Sequence, residues 1–159
     1  MTDIELLRHT VATLAYRAAK TMRGAPASFA EYKPGPTSKT PAQIVAHMGD
    51  LFDWGLTLII GDQKWHNSTP LPWEQECARF FDALKKFDDA LASGRPVKTP
   101  LTKIFQGPIA DALTHTGQLA SLRRLAGCPM KGESYPNAEI VIGRVSFEQT
   151  PANPKFEFD

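Results

Sequence analysis

Apolar side chains recur at three- and four-residue intervals in four separate stretches of the chain, the spacing of helices that bury one face. In the first stretch Ile4, Leu7, Val11, Leu14, Ala15, Ala18 and Met22 share a stripe, which predicts a helix over 3–22. Thr2 with Glu5 three residues later forms a capping box at its start, and Gly24 and Pro26 end it. His9 lies off the stripe and is expected on the surface. A connection rich in Pro, Gly, Ser and Lys follows over 23–40, longer than most helix–helix links. The second helix is announced by Thr40-Pro41-Ala42-Gln43, an N-cap threonine with proline at the first helical position and glutamine at the third. Its stripe is Ile44, Met48, Leu51, Gly55 and Leu58, and Gly61 closes it. Residues 61–71 form a polar crossover holding Lys64, Trp65, His66 and Asn67, long enough for the second and third helices to run parallel.

The third stretch, 72–92, is the most regular. Trp73, Cys77, Phe80, Leu84, Phe87 and Leu91 keep a 4-3-4-3-4 spacing with no polar interruption, so this helix is scaffolding and Cys77 is a small buried apolar residue. After the turn Ser93-Gly94-Arg95-Pro96, a fourth helix is expected from near Thr99-Pro100 to Ala126, with Leu101, Phe105, Ile109, Ala112, Thr116 and Leu119 in phase. Gly107-Pro108 should kink it or begin it afresh, because proline removes a backbone donor. Arg123 and Arg124 suit the negative end of the helix dipole, and Gly127 is the expected residue just past the end. The pattern then changes: four prolines interrupt residues 128–159, while Ile140-Val141-Ile142 and Phe156-Glu157-Phe158 carry β-type side chains. An all-α bundle over 1–127 with an extended C-terminal tail, 128–159, packed along it and carrying one short strand is the expected architecture.

Three polar residues fall where the pattern calls for apolar ones. His47 lies three after Ile44 and four before Leu51, on the edge of the buried face. His115 lies three after Ala112 and four before Leu119, and Asp111 is one turn before it on the same side. Each has an ordinary reading, as a hydrogen-bonded core histidine or an acid paired with an arginine. Together they offer two histidines and one carboxylate, a ligand set that leaves coordination positions open on a divalent metal. Asp50, Asp53 and Gln118 are candidate partners for the ligand histidines, although Asp50 and Asp53 flank the stripe and are expected to be solvated. His66 is expected on the loop surface. Trp54 and Trp65 are candidates to shape a pocket, with core packing the plainer account of Trp54.

Composition narrows the function without naming it. With 18 basic and 17 acidic residues in 159, a net charge of +1, there is no basic stripe for nucleic acid. No run of apolar residues is long enough to span a membrane and no signal-peptide layout opens the chain. Two cysteines, Cys77 and Cys128, make no disulfide framework, which suits a cytoplasmic protein.

The order of these features resembles the DinB/YfiT-like superfamily of four-helix bundles over residues 1–127. The likeness is carried by Thr40-Pro41 leading to His47, and by Asp111-x-x-x-His115-Thr116-Gly117-Gln118 in the fourth helix. The commoner pattern has histidine at the place of Asp111, and the carboxylate hardens the site. The resemblance implies an up-down-down-up bundle and a metal held by His47, Asp111 and His115, zinc first, with nickel, iron and manganese as alternatives. It also implies a thiol-transferase-like or hydrolase-like enzyme that activates water or a low-molecular-weight thiol acting on a small-molecule substrate, in a chain that forms homodimers. The competing expectation is a non-catalytic, stress-related or partner-binding bundle whose polar cluster is structural. The two differ in the cleft between helices two and four. An enzyme should leave the polar groups facing a solvent-connected pocket, and a structural cluster should be buried and fully paired.

Overall fold

In the computed structural model, which describes residues 1–159, both capping boxes form. Thr2 and Thr40 each accept from the backbone N–H three residues on, and Glu5 and Gln43 reach back to accept from the N–H of the capping threonine. The helices that follow are α1 (Asp3–Met22) and α2 (Pro41–Ile60), with α3 at Trp73–Ala92. The fourth helix is in two pieces, α4 (Leu101–Ile104) and α5 (Ala110–Leu125), joined by a π-turn over Phe105–Ile109. Gly61 ends α2 in the left-handed region, φ 90°, where glycine carries no steric penalty. The chain is all-α apart from one antiparallel pair of two-residue strands. No helix is long and apolar enough to cross a membrane.

The four stripes meet in one core. Phe52 on α2 packs edge-on against Phe80 and Phe87 of α3, with ring centroids 6.1 and 5.1 Å apart. Gly55 makes this approach close: a Cβ there would lie 2.9 Å from the Phe87 ring. Each such aromatic or aliphatic side chain taken fully out of water contributes about 1.5–3 kcal/mol. Cys77 is buried as expected, and burial together with the neighbouring Glu76 pushes its thiol up to about 12, so it is no nucleophile at neutral pH. The connection after α1 is not idle chain. A 3₁₀ turn at Ala27–Glu31 drives Phe29 into the core, edge-on to Trp73 at 5.6 Å.

Two expectations are corrected. Before Pro108 the inward residue is Ile104, fully buried, while Phe105 is 46% exposed. The π-turn is the reason: Gly107 (φ −82°, ψ −105°) leaves helical geometry and shifts the phase of the stripe ahead of it. In the tail two short strands form where one was expected, and of the two β-type stretches Phe156-Glu157-Phe158 contributes one while Ile140-Val141-Ile142 stays outside. Pairing occurs between β1 (Gly132–Glu133) and β2 (Glu157–Phe158), with Gly132 opposite Phe158.

Charge, more than β-propensity, sets where the tail docks. Glu133 is buried and accepts from Tyr16 Oη and Lys20 Nζ, both at 2.7 Å, and Lys20 also reaches Glu157 at 2.9 Å. Burial and the Glu133 carboxylate push the Tyr16 phenol far above its ordinary value. Further on, Phe147 meets Phe81 edge-on at 5.6 Å and its carbonyl accepts from Arg23. Glu133→Ala is expected to cost about 2 kcal/mol, since it strands the buried Tyr16 phenol and leaves Lys20 with Glu157 alone. A urea midpoint shift together with faster proteolysis after residue 128 would report it; a tail as protease-resistant as the wild type would sink the idea.

Candidate metal centre

The three residues that break the apolar pattern come together between α2 and α5. His47 is seven residues past the Thr40 cap, so its level along α2 is set by that capping box. Asp111 sits in the first turn of α5 directly beyond the π-turn, with His115 one turn later. The start of α5 is held against α2 at Gly107, where a Cβ would lie 3.3 Å from the Trp54 indole. Trp54 in turn packs edge-on to Trp65 (6.0 Å), and Trp65 edge-on to His47 (5.6 Å). An aromatic line therefore runs from the π-turn through the crossover to the first histidine.

One candidate donor atom from each of His47, Asp111 and His115 lies within 4.8 Å of the others, a grouping able to hold a metal ion. Both Nε2 atoms face the carboxylate: His47 Nε2 is 3.4 Å from Asp111 Oδ2, and His115 Nε2 is 3.4 Å from Oδ1. These separations exceed the roughly 2.7–3.2 Å of a good N–H···O hydrogen bond. Each is close to the edge between two donors of a tetrahedral site, about 3.4 Å when bonds to zinc are ~2.1 Å, with the two histidines approaching different oxygens of the carboxylate. The two imidazoles stand nearly perpendicular, 88°, with centroids 4.9 Å apart. His115 Nδ1 lies 2.8 Å from Gln118 Oε1. That contact suits a ring that carries its hydrogen on Nδ1 and keeps the Nε2 lone pair free for a cation. Gln118 is therefore in contact with His115, as Asp50 is not.

Asp50 is buried, not solvated, and its oxygens bond Ser68 and Arg79 and neither His47 nor His115. Oδ2 accepts from the backbone N–H of Ser68 at 2.8 Å and Oδ1 from the Ser68 hydroxyl at 2.6 Å, while the Arg79 guanidinium bonds it from α3. His66 Nε2 stands 3.1 Å from Asp50 and 3.4 Å from Asp53, so His66 belongs to this cluster despite its exposed ring. Burial by itself would raise the Asp50 carboxyl, but the hydrogen bonds from Ser68 and Arg79 outweigh it and hold the pKa below the ordinary 3.8. Arg79 also bonds Glu76, which is fully buried and accepts from the N–H of Leu71 at 2.7 Å. Asp50, Asp53 and His66 are spaced closely enough to hold a metal as well. Arg79 already supplies the positive charge there, and the cluster ties the 61–72 crossover onto α2 and α3. Gly49 permits it, since a Cβ at that position would run into the guanidinium.

A cavity of about 440 Å³ opens beside the histidines, and His47, His115, Gln118, Gln43 and Ser68 are on its wall. His47 and Asp111 are only half-buried, their side chains 37% and 44% exposed. No residue beyond Gln118 lines the cavity, so the tail leaves it uncovered. The arrangement has no serine or cysteine nucleophile: Ser68 is committed to Asp50 and Arg79, and Cys77 belongs to the core. What sequence reasoning missed is the Asp50–Arg79–Glu76 network, whose one local signal is a glycine next to an aspartate on a buried helix. No family model, curated protein or solved structure matches the chain.

Proposed function

We propose that this chain is a metal-dependent enzyme of the DinB/YfiT-like kind, in which His47, Asp111 and His115 hold one divalent cation. The observation that carries the reading is the 3.4 Å spacing of each Nε2 atom from an Asp111 oxygen, in groups that all keep some solvent exposure beside a cavity. A structural polar cluster would close to hydrogen-bond distance and lose its exposure. The bundle order up-down-down-up is supported by how contacts progress. Ala46 with Arg79 and Phe52 with Phe87 climb α2 and α3 together. His47 with His115 and Trp54 with Gly107 run α2 against α5. Arg123 meets the Thr21 carbonyl while Ile4 and Leu101 share a surface cleft, so α1 runs alongside the α4–α5 helix.

Zinc is the metal the donor set favours, with nickel, iron and manganese as competitors for two imidazoles and one carboxylate. Such a cation polarises water or a low-molecular-weight thiol and lowers its pKa, which supports group transfer or hydrolysis. The protein supplies the rest: His115 is held in one tautomer by Gln118, Trp65 covers one side of His47, and the crossover shapes the mouth of the cavity. The two unpaired cysteines fit a cytoplasmic setting. Elemental analysis of protein purified without a metal-binding tag tests the reading. About one equivalent of a divalent transition metal per chain is expected, and none after soaking in zinc would reduce the three residues to a structural cluster.

A further inference from the structure

The cavity carries a second pattern, in the amides that line it. Gln43 Oε1 accepts from the backbone N–H of Thr40 at 3.0 Å, and Asn67 Oδ1 accepts from the indole N–H of Trp65 at 3.3 Å. Those partners can only donate, so each amide is oriented with its oxygen toward its partner and its NH₂ left free to donate. Gln118 Oε1 is likewise occupied by His115 Nδ1. All three amides are on the wall of the same cavity, and Lys39 is its one lysine or arginine. The one carboxylate on that wall, Asp50, is engaged already: it accepts from the Ser68 hydroxyl and is bonded by Arg79, which also donates to Ser68. The wall thus offers an ammonium and three sets of amide donors, with its carboxylate paired to Arg79.

We infer that this cavity binds a small organic carboxylate, held by Lys39 and the NH₂ groups of Gln43, Asn67 and Gln118 beside the His47–Asp111–His115 centre. A neutral polar ligand would leave the Lys39 ammonium without a counter-charge. One ammonium among neutral donors matches the single charge of one carboxylate group, while a phosphate dianion would concentrate up to two charges on one cation with the Asp111 carboxylate close by. The inference names the substrate class of the proposed enzyme; it rests on the metal reading for the orientation of Gln118, and on Lys39, Gln43 and Asn67 independently of it.

Calorimetric titration of the 159-residue chain, zinc-loaded and separately metal-free in chelator, tests this with three probes: glutarate, its neutral diamide, and inorganic phosphate. Glutarate should bind at least about tenfold more tightly than the diamide in both forms of the protein, the difference a charge-assisted hydrogen bond makes. Lys39→Met should weaken glutarate by about tenfold. Gln43→Glu keeps an oxygen for the Thr40 N–H but places a like charge on the wall, and should weaken glutarate further. Equal binding of glutarate and the diamide, indifference of glutarate to both variants, or a preference for phosphate would each overturn the inference. A chain that takes up no zinc yet binds glutarate through Lys39 would refute the metal reading and leave this subsite standing. Zinc uptake without glutarate binding would do the reverse.

Discussion

Alanine at His47 or at His115 is expected to leave the purified protein with less than about a tenth of the metal carried by the wild type. The expectation follows from the donor count. Asp111 and one imidazole remain, and losing a direct ligand should exceed the ~10–100-fold loss of affinity that removal of an outer partner causes. Gln118→Leu provides that lesser step, since it removes the acceptor 2.8 Å from His115 Nδ1 while sparing all three donors. A graded series is therefore expected in zinc competition against a chromogenic chelator: wild type tightest, Gln118→Leu about tenfold weaker, and the histidine variants weaker still. Stability should hardly move. Neither imidazole is fully buried and neither makes a short hydrogen bond to the other helix, so each substitution should cost about 1 kcal/mol or less. This separation of metal content from stability is the discriminating result. A His115→Ala protein that still holds one equivalent sinks the ligand assignment, and one that unfolds with no change in metal content makes the cluster structural.

The helices could be read so closely because their ends are local events. A capping box needs residues only three apart, and Thr2–Glu5 and Thr40–Gln43 both form as spaced. Gly61 at φ 90° likewise answers a one-residue requirement. His47, Asp111 and His115 were legible for a related reason, since each interrupts an apolar stripe whose phase says which way it points. What could not be read depends on partners distant in the chain. Asp50 beside a stripe resembles any solvated acid until Ser68 and Arg79, 18 and 29 residues away, arrive to cover it. Phe105 was assigned inward by counting along an unbroken helix, and the π-turn at Gly107-Pro108 changed the count. In the tail, Ile140–Ile142 has the stronger β-propensity, yet the strands form where Glu133 and Glu157 share Lys20. Propensity for strands reports fit to a half-buried surface, and the docking ammonium decides where that surface lies.

The buried network missed in the sequence should dominate the stability of the crossover. Asp50→Asn removes the only full negative charge that is both buried in α2 and bonded to Arg79, while Ser68 and its loop lose a charged acceptor. Breaking one side of a buried ion pair costs about 3–5 kcal/mol, and Arg79 keeps Glu76 and the Ala46 carbonyl, which places the expectation near 3. For a chain of this size, roughly 3 kcal/mol corresponds to a fall in Tm of about 6–12 °C. The pH dependence has a definite sign. The Asp50 carboxyl is held below its ordinary 3.8, so its contribution is fully present above that value and is lost as pH falls through the lowered folded pKa. Wild type and variant should therefore differ most between about pH 5 and 7 and converge in acid below pH 4. Trp65 reports the local consequence: with residues 61–72 released from Asp50, its fluorescence should shift to the red and the segment should become a protease site at neutral pH. Equal thermal midpoints at pH 7 would show that Glu76 and the packing of α2 on α3 hold the crossover without Asp50. A stability gap that widens in acid would overturn the account of its carboxylate.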